Sequence, residues 1–198
     1  LAPADMRTGH KQPNVTIPTN NDPSGQWVAP FVMASVNTRV VQRSHALLGR
    51  PWGDDFLYDE AMIMGDGPVG AAKAAMTAGG LGGFMAAASV KPIRSLLNSY
   101  VLPKPGTGPS LDKQKAGFYD LRFFGETADG QTIVTKVTGD ADPGYGSTAK
   151  MLGEAAVVLL ELDHETAPGG FHTPTTAFGD DLIERLVEHA GLTFSVID

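Results

Sequence analysis

A β-hairpin is the feature that most restricts the fold of this chain. Two stretches of alternating apolar and polar residues, 118–125 and 131–138, flank the dipeptide Asp129-Gly130. Asp-Gly is a strong turn signal, because glycine accepts the positive φ that a tight hairpin turn requires. Since side chains alternate between the two faces of a strand, each stretch carries one face suited to burial. The sequence therefore predicts an antiparallel hairpin.

The remaining elements follow from apolar periodicity. Alternation predicts further strands at 55–64 and 192–197. Helical spacing predicts helices over these ranges: 30–48, 68–89, 91–100, 147–162 and 174–189. The fourth of these helices is apolar on every side, which is typical of a buried helix. Together the elements predict an α+β fold, with one antiparallel or mixed sheet of about four to six strands covered by helices.

The first 29 residues differ from the rest of the chain. Their four prolines and the turn-rich run 20–25 predict irregular structure, which we interpret as a linker or an arm that wraps the surface. We interpret residues 30–198 as one domain, since a chain of 198 residues with 42% apolar side chains can build a core. Glycine pairs at 79–80 and 82–83 predict a bend or a close helix contact.

Charge and the absence of cysteine exclude several classes of function. The chain has 15 basic and 22 acidic residues and a net charge of −7, so we expect no nucleic-acid partner. A chain without cysteine has no disulfide scaffold, cysteine zinc site or thiol nucleophile. His164, Glu165 and His172 share one loop, but their spacing matches no short metal-binding motif, and we predict no metal site.

Residues 65–70 read G-x-G-x-x-G between a predicted strand and a predicted helix, which is the arrangement of a dinucleotide-binding turn. Three observations oppose that function. The preceding strand contains Asp59 and Glu60, unlike a buried parallel strand. No acidic residue lies between Asp66 and Asp112 to hold a ribose, and no second strand follows the helix at the distance that a βαβ unit requires. We therefore predict that these glycines form a turn needed for packing.

A candidate anion site lies where the predicted buried helix begins. Backbone N–H groups at a helix N-terminus attract anions. Gly144, Ser147, Thr148 and Lys150 add an adaptable backbone, two hydroxyls and a positive charge. Tyr145 is a candidate proton donor, so we take Tyr145 and Lys150 as candidate catalytic residues. The alternative is a capped surface loop that binds no ligand.

A second candidate site lies on the first predicted helix. Arg39 and Arg43 are four residues apart and share a helix face, with Asn37 close by in sequence. Two guanidinium groups on one face can bind a carboxylate or a phosphate of a substrate. The alternative is a solvated face or a surface of ordinary salt bridges.

Three runs of sequence resemble the C-terminal domain of saccharopine dehydrogenase-like oxidoreductases. They are PFVMASVNTRVVQRS at 30–44, VTGDADPGYGSTAKML at 137–152, and GGFHTP at 169–174 followed by GDDLIERL at 179–186. The middle run is the most specific. The branch that they resemble includes the trans-acting enoyl reductases of mycobacterial lipid synthesis.

This resemblance spans about residues 28–198 and implies a substrate-binding and oligomerisation domain of an NAD(P)-dependent oxidoreductase, an enoyl reductase acting on lipid-type substrates. It implies that NADP or NAD is bound mainly by an N-terminal Rossmann domain, so we expect no cofactor in this chain and no activity from it alone. The implied partners are that Rossmann domain, a second copy in a homodimer, and a small-molecule or lipid-type substrate. We expect a cytoplasmic location, with peripheral membrane contact left open. The alternative function is a non-catalytic dimerisation or lipid-surface module, since the Ala/Gly-rich segment 68–90 permits close approach of helices.

Overall fold

The computed structural model describes residues 9–21, 23–104, 106–163 and 169–198. The chain divides into two units, Leu1–Pro105 and Gly106–Asp198, which we describe one at a time. Among the described residues, each unit holds one three-stranded antiparallel sheet and three helices. The predicted α+β class is therefore confirmed.

The Leu1–Pro105 unit is built around a sheet in the order β1-β2-β3. Its elements are β1 (Thr19–Asn21), β2 (Gln26–Pro30), α1 (Ala34–Leu47), β3 (Ala61–Gly65), α2 (Gly67–Ser89) and α3 (Lys91–Tyr100). The central strand β2 buries Val28 and Ala29, and α2 packs against it through the buried Ala74. The core of this unit therefore lies between β2 and α2.

Several boundaries in this unit differ from the predictions. Two of its strands, β1 and β2, lie in the segment that we interpreted as a linker or wrapping arm. Helix α1 begins at Ala34 and not at residue 30, because Pro30 ends β2 opposite Ala61. The predicted strand 55–64 pairs with a neighbouring strand only near its end, since β3 starts at Ala61.

The G-x-G-x-x-G run forms the turn between β3 and α2. Gly65 and Gly67 have φ angles of 99° and 58°, which only glycine adopts readily. Gly70 is buried, and a Cβ at this position would collide with the carbonyl oxygen of Gly65. The predicted packing role of these glycines is confirmed, because each one meets a backbone or steric requirement.

The glycine pairs in the middle of α2 have no such role. A Cβ built at Gly79, Gly80, Gly82 or Gly83 would meet no atom of the described residues within 4 Å. Helix α2 also continues through them from Gly67 to Ser89. The predicted bend or close helix contact is therefore wrong for this unit.

Alanine substitutions in α2 separate these two kinds of glycine. We expect Gly70→Ala to lower the free energy of unfolding by about 1–3 kcal/mol, because the backbone of the turn must move to accept the methyl group. The matched control Gly80→Ala should raise it by about 0.5–1 kcal/mol, since it adds helix propensity in open space. Urea unfolding measures both. Equal effects of the two substitutions would contradict the packing role of Gly70.

The Gly106–Asp198 unit is built around a sheet in the order β4-β5-β6. Its elements are α4 (Leu111–Ala116), β4 (Tyr119–Glu126), β5 (Thr132–Gly139), α5 (Gly146–Glu161), α6 (Pro174–His189) and β6 (Leu192–Val196). Its core joins Leu186 of α6 and Ala190, the residue that follows this helix, to Leu192 of β6. Tyr119 of β4 and Met151 of α5 pack against this cluster, so both helices lie on one face of the sheet.

The hairpin in this unit confirms the strongest sequence prediction, with Tyr119 opposite Gly139 and Glu126 opposite Thr132. The prediction of one sheet is wrong. The structure has two sheets, and each pairs strands only from its own unit. The short helix α4 lies in a stretch for which we predicted neither a helix nor a strand, and its start is capped by the Ser110 hydroxyl.

The prediction that α5 is buried on every side is also wrong. Leu152 and Leu160 are 70% and 83% exposed, whereas Val158 is 3% exposed. Only one stripe of the helix contacts the sheet and α6. Apolar composition thus predicted the helix correctly, but it did not predict how much of the helix surface other elements bury.

Candidate functional site

The structure divides the predicted site residues between the two units. Asn37, Arg39 and Arg43 lie on α1 in the Leu1–Pro105 unit. The others lie at the start of α5 in the Gly106–Asp198 unit, namely Gly144, Tyr145, Ser147, Thr148 and Lys150. Each group is therefore a separate candidate site.

Asp142 caps the N-terminus of α5, as in the alternative of a capped surface loop. The carboxylate of Asp142 accepts hydrogen bonds from the backbone N–H groups of Tyr145 (2.7 Å) and Gly146 (3.4 Å). The Thr148 hydroxyl donates to the carbonyl of Pro143 at 2.6 Å. A negative charge is thus already present where we predicted an anion site.

Ser147 anchors the first turn of α5 in the interior of the unit. It is fully buried, and its hydroxyl is hydrogen-bonded to the hydroxyl of Tyr119 at 3.0 Å. The Tyr119 ring lies against Gly139, where a Cβ would collide with it. This arrangement joins the start of α5 to the hairpin and fixes the loop between them.

Tyr145 and Lys150 present their side chains at the surface. Tyr145 is 56% exposed, with its ring beside Gly108. The Lys150 ammonium is 2.8 Å from a carboxylate oxygen of Asp140 in an exposed ion pair. An ammonium has three N–H donors, so two remain for other acceptors. Together with Gly144 and Thr148, these residues form an exposed polar surface, which we call the α5 surface.

A polar cluster joined by side-chain hydrogen bonds surrounds Asn37 on α1. The Asn37 side-chain amide donates to one carboxylate oxygen of Glu60 at 2.9 Å, and the Tyr58 hydroxyl donates to the other at 3.0 Å. Tyr58 and Glu60 lie in the stretch 55–64, which we predicted as a strand. Their alternation was visible, but it gave no sign that Asn37, 23 residues away, would be their partner.

Two glutamines hold this cluster in place. The Gln42 amide donates to the side-chain oxygen of Gln12 at 2.9 Å, and the Tyr58 N–H donates to the same oxygen at 3.1 Å. The Gln12 amide donates to the carbonyl of Phe56 at 3.3 Å. The segment before β3 is thereby bonded to α1, so the partners of Asn37 are positioned by the fold.

Aromatic rings packed around the buried His45 complete the support beside the cluster. His45 is 1% exposed, and its Nε2 lies 2.8 Å from the carbonyl of Gly53. Its ring stacks on Trp52 at 5.3 Å and packs against Phe56 at 4.8 Å. These contacts fix the chain two residues before Tyr58 and so limit its motion.

The electrostatics of the cluster keep Tyr58 protonated. Burial raises the pKa of the Tyr58 hydroxyl well above its usual range, and the Glu60 carboxylate raises it further. Burial also raises the pKa of the neighbouring Asp59 carboxyl. The cluster therefore combines a neutral hydroxyl donor, an amide and a carboxylate, which can orient a polar group of a ligand.

A pH titration tests this assignment. Because the folded-state pKa of Tyr58 is raised, its contribution to stability is present below the ordinary tyrosine pKa of about 10 and is lost as the pH rises above it. We expect Glu60→Gln to lower the pKa of Tyr58, since it removes a negative charge 3.0 Å from the hydroxyl. NMR of the tyrosine rings measures the shift. The control Glu126→Gln, on β4, should leave Tyr58 unchanged, and an unchanged Tyr58 titration in Glu60→Gln would contradict the assignment.

The remaining predicted site residues are the two arginines of α1 and the residues of the 163–173 loop. Arg39 is exposed and Arg43 is half-buried. His164 and Glu165 lie outside the described residues. Within the described ranges, no group of three or more His, Asp or Glu side chains could hold a metal ion.

The residues at the G-x-G-x-x-G turn do not fit a dinucleotide. Asp66 occupies the N-cap of α2, and its carboxylate accepts a hydrogen bond from the Gln26 amide at 3.4 Å. A pyrophosphate at this helix N-terminus would meet that negative charge. The sheet before the turn is antiparallel, unlike the parallel sheet of dinucleotide-binding folds.

No protein-family model and no solved structure matches the chain. It is similar to Rv2449c of Mycobacterium tuberculosis, provisionally named a trans-acting enoyl reductase, at 40% identity over 167 residues. It is also similar to the trans-acting enoyl reductases of Mycobacterium ulcerans (38% over 170 residues) and Mycobacterium bovis (34% over 166 residues). Each comparison covers 82% of this chain.

The chain spans about 40% of the length of these relatives. The similarity to trans-acting enoyl reductases agrees with the branch that the sequence runs resembled. The wider resemblance to saccharopine dehydrogenase-like oxidoreductases stays a prediction. Among the helices of the described residues, none is both long and apolar enough to span a membrane.

Proposed function

We propose that this chain is the substrate-binding and self-association domain of an NAD(P)-dependent, saccharopine dehydrogenase-like oxidoreductase that reduces an enoyl group of a lipid-type substrate in the cytoplasm. The observation that carries the proposal is the identity of 34–40%, over 82% of the chain, to proteins named trans-acting enoyl reductases. In this proposal the nicotinamide cofactor is bound by a Rossmann domain outside the chain. The chain itself binds and orients the substrate.

The reaction defines what this chain must supply. Reduction of an α,β-unsaturated thioester adds a hydride to the β-carbon and a proton to the α-carbon, while negative charge develops on the carbonyl oxygen. NAD(P)H supplies the hydride when it is bound. Donors directed at the carbonyl oxygen stabilise that charge more strongly in the transition state than in the ground state.

The α5 surface offers such donors. The Lys150 ammonium is held by Asp140 at 2.8 Å and keeps N–H donors for a second acceptor. The Tyr145 hydroxyl is exposed on the same helix start. We assign the carbonyl oxygen to Lys150 and the role of proton donor to Tyr145.

The α1 side, in the Leu1–Pro105 unit, is a separate candidate site for an anion. Asn37 is fixed by Glu60, and Arg39 lies on the exposed face of the same helix. A guanidinium binds phosphate through two parallel hydrogen bonds. For this unit taken by itself, we assign the binding of an anionic group, such as a phosphate, to Arg39 and Arg43, with Asn37 and Glu60 orienting a neighbouring polar group.

A chimeric enzyme tests the function. This chain would replace the segment that it matches in the Mycobacterium ulcerans relative, and oxidation of NADPH or NADH would be followed with an enoyl thioester. We expect the chimera to be active, and Lys150→Ala to lower its kcat by about 10²-fold, as for the loss of one donor to a developing oxyanion. The matched control Lys73→Ala, on an exposed position of α2, should leave kcat unchanged.

The outcomes of this experiment are distinct. Unchanged kcat and KM in the Lys150→Ala chimera would remove Lys150 from the site. A chimera that folds but does not oxidise the nicotinamide, when the parent relative does, would contradict the proposed function of the chain.

A further inference from the structure

Strand β4 has an outer edge with no strand partner among the described residues, because it ends the order β4-β5-β6. The hairpin closes with a hydrogen bond from the Thr127 N–H to the Gln131 carbonyl at 2.9 Å. Backbone groups alternate in direction along an antiparallel strand. The odd-numbered residues of β4 therefore bond to β5, and Asp120, Arg122 and Phe124 direct their N–H and C=O groups outward.

The same sheet has an apolar face that is only partly covered. At one end of this face, Tyr119 and Leu192 pack in the core under α6. At the other end, Leu121 is 47% exposed and Phe123 is 39% exposed. An unpaired edge beside exposed apolar residues is a template for pairing with another strand.

The sequence of β4 identifies that other strand as a second copy of itself. Residues 118–124 read Phe-Tyr-Asp-Leu-Arg-Phe-Phe. This run is self-complementary about Leu121, because an acidic residue matches a basic one and aromatic residues match aromatic ones. In an antiparallel pair centred on Leu121, each Asp120 faces Arg122 of the partner subunit. Tyr119 then faces the partner's Phe123, and Phe118 faces the partner's Phe124. Opposite charges and aromatic pairs in cross-strand positions stabilise a sheet.

Neighbouring registers lack this complementarity. A pair centred on Asp120 would place the two Asp120 carboxylates opposite each other, and a pair centred on Arg122 would do the same with two guanidinium groups. A shift by a single residue would join outward-directed to inward-directed backbone groups. The register centred on Leu121 satisfies both the charges and the backbone hydrogen bonds.

We propose that two copies of this chain form a dimer in which β4 pairs antiparallel with the partner's β4 about Leu121, giving a continuous six-stranded sheet. This inference deepens the self-association included in the proposed function. The pairing brings the exposed Leu121 and Phe123 of the two copies together on one face. On the other face, Asp120, which lies 3.3 Å from Arg122 and 3.2 Å from Lys136 in its own chain, gains a further guanidinium.

Single cysteines test the register directly, because the chain contains no cysteine of its own. In the proposed pair the two Leu121 Cα atoms are about 4.5 Å apart, within the range of a disulfide. We expect Leu121→Cys to form a disulfide-linked dimer under mild oxidation. The matched variant Phe123→Cys, on the same face, places its two cysteines about 13 Å apart and should not cross-link.

Charge reversal tests the pairing in solution. We expect Arg122→Asp to raise the dimer dissociation constant by roughly 10- to 100-fold, because two cross-strand attractions become repulsions. The double variant Asp120→Arg with Arg122→Asp restores opposite charges and should recover the dimer. Arg94→Asp, on α3, is the matched control and should sediment as the unchanged chain does.

Each outcome has one meaning. A cross-link at 121 but not at 123, with recovery by the double variant, supports the proposed dimer. A dimer that cross-links at 123, or that ignores the charge reversal, overturns this register but leaves self-association in place. A chain that stays monomeric at all concentrations overturns both, whereas the enoyl reductase function is tested separately by the chimera.

Discussion

The hydrogen bond between the Tyr119 and Ser147 hydroxyls holds the Gly106–Asp198 unit together at the point where function is proposed. It links the hairpin to the first turn of α5, and it forms only because Gly139 leaves room for the Tyr119 ring. This link restricts the conformation of the loop between the two elements, and the Asp142 carboxylate accepts a hydrogen bond at the helix N-terminus. Tyr145 and Lys150 are exposed because their neighbour Ser147 is anchored inside.

The Leu1–Pro105 unit uses a different device to order its polar residues. Gln12 bonds both to α1 through Gln42 and to the backbone at Tyr58. This places Tyr58 and Glu60 next to Asn37. The unit therefore holds a carboxylate with two fixed donors, and the raised pKa of Tyr58 follows from its burial in that position.

Local signals in the sequence predicted the elements well. The Asp129-Gly130 turn, the helical spacing in α2 and α6, and Gly191 after the last helix each act within a few residues. The division into two sheets was not predictable in this way, because strand pairing depends on distant segments. The exposed side of α5 was missed for a related reason, since apolar composition does not show whether a partner is present to cover it.

The candidate site shows the same limit. Residue type alone drew attention to Asn37, Tyr145 and Lys150, but their partners are separated from them in sequence. Glu60 is 23 residues from Asn37, and Asp140 is 10 residues from Lys150. Asp142 was visible in the loop, but its role as the cap of α5 depended on the loop conformation. The sequence thus indicated candidate residues by type, whereas the pairing of their polar groups required the fold.

In our proposal, this chain binds the substrate of an enoyl reductase and not its nicotinamide cofactor. The most direct measurement is a fluorescence titration of the 198-residue chain with NADPH, with NADH and with a long-chain enoyl thioester. The account predicts saturable binding of the thioester and no binding of either nicotinamide up to millimolar concentration. Saturable binding of NADPH or NADH to the chain would contradict it and would make the turn at residues 65–70 the leading cofactor site.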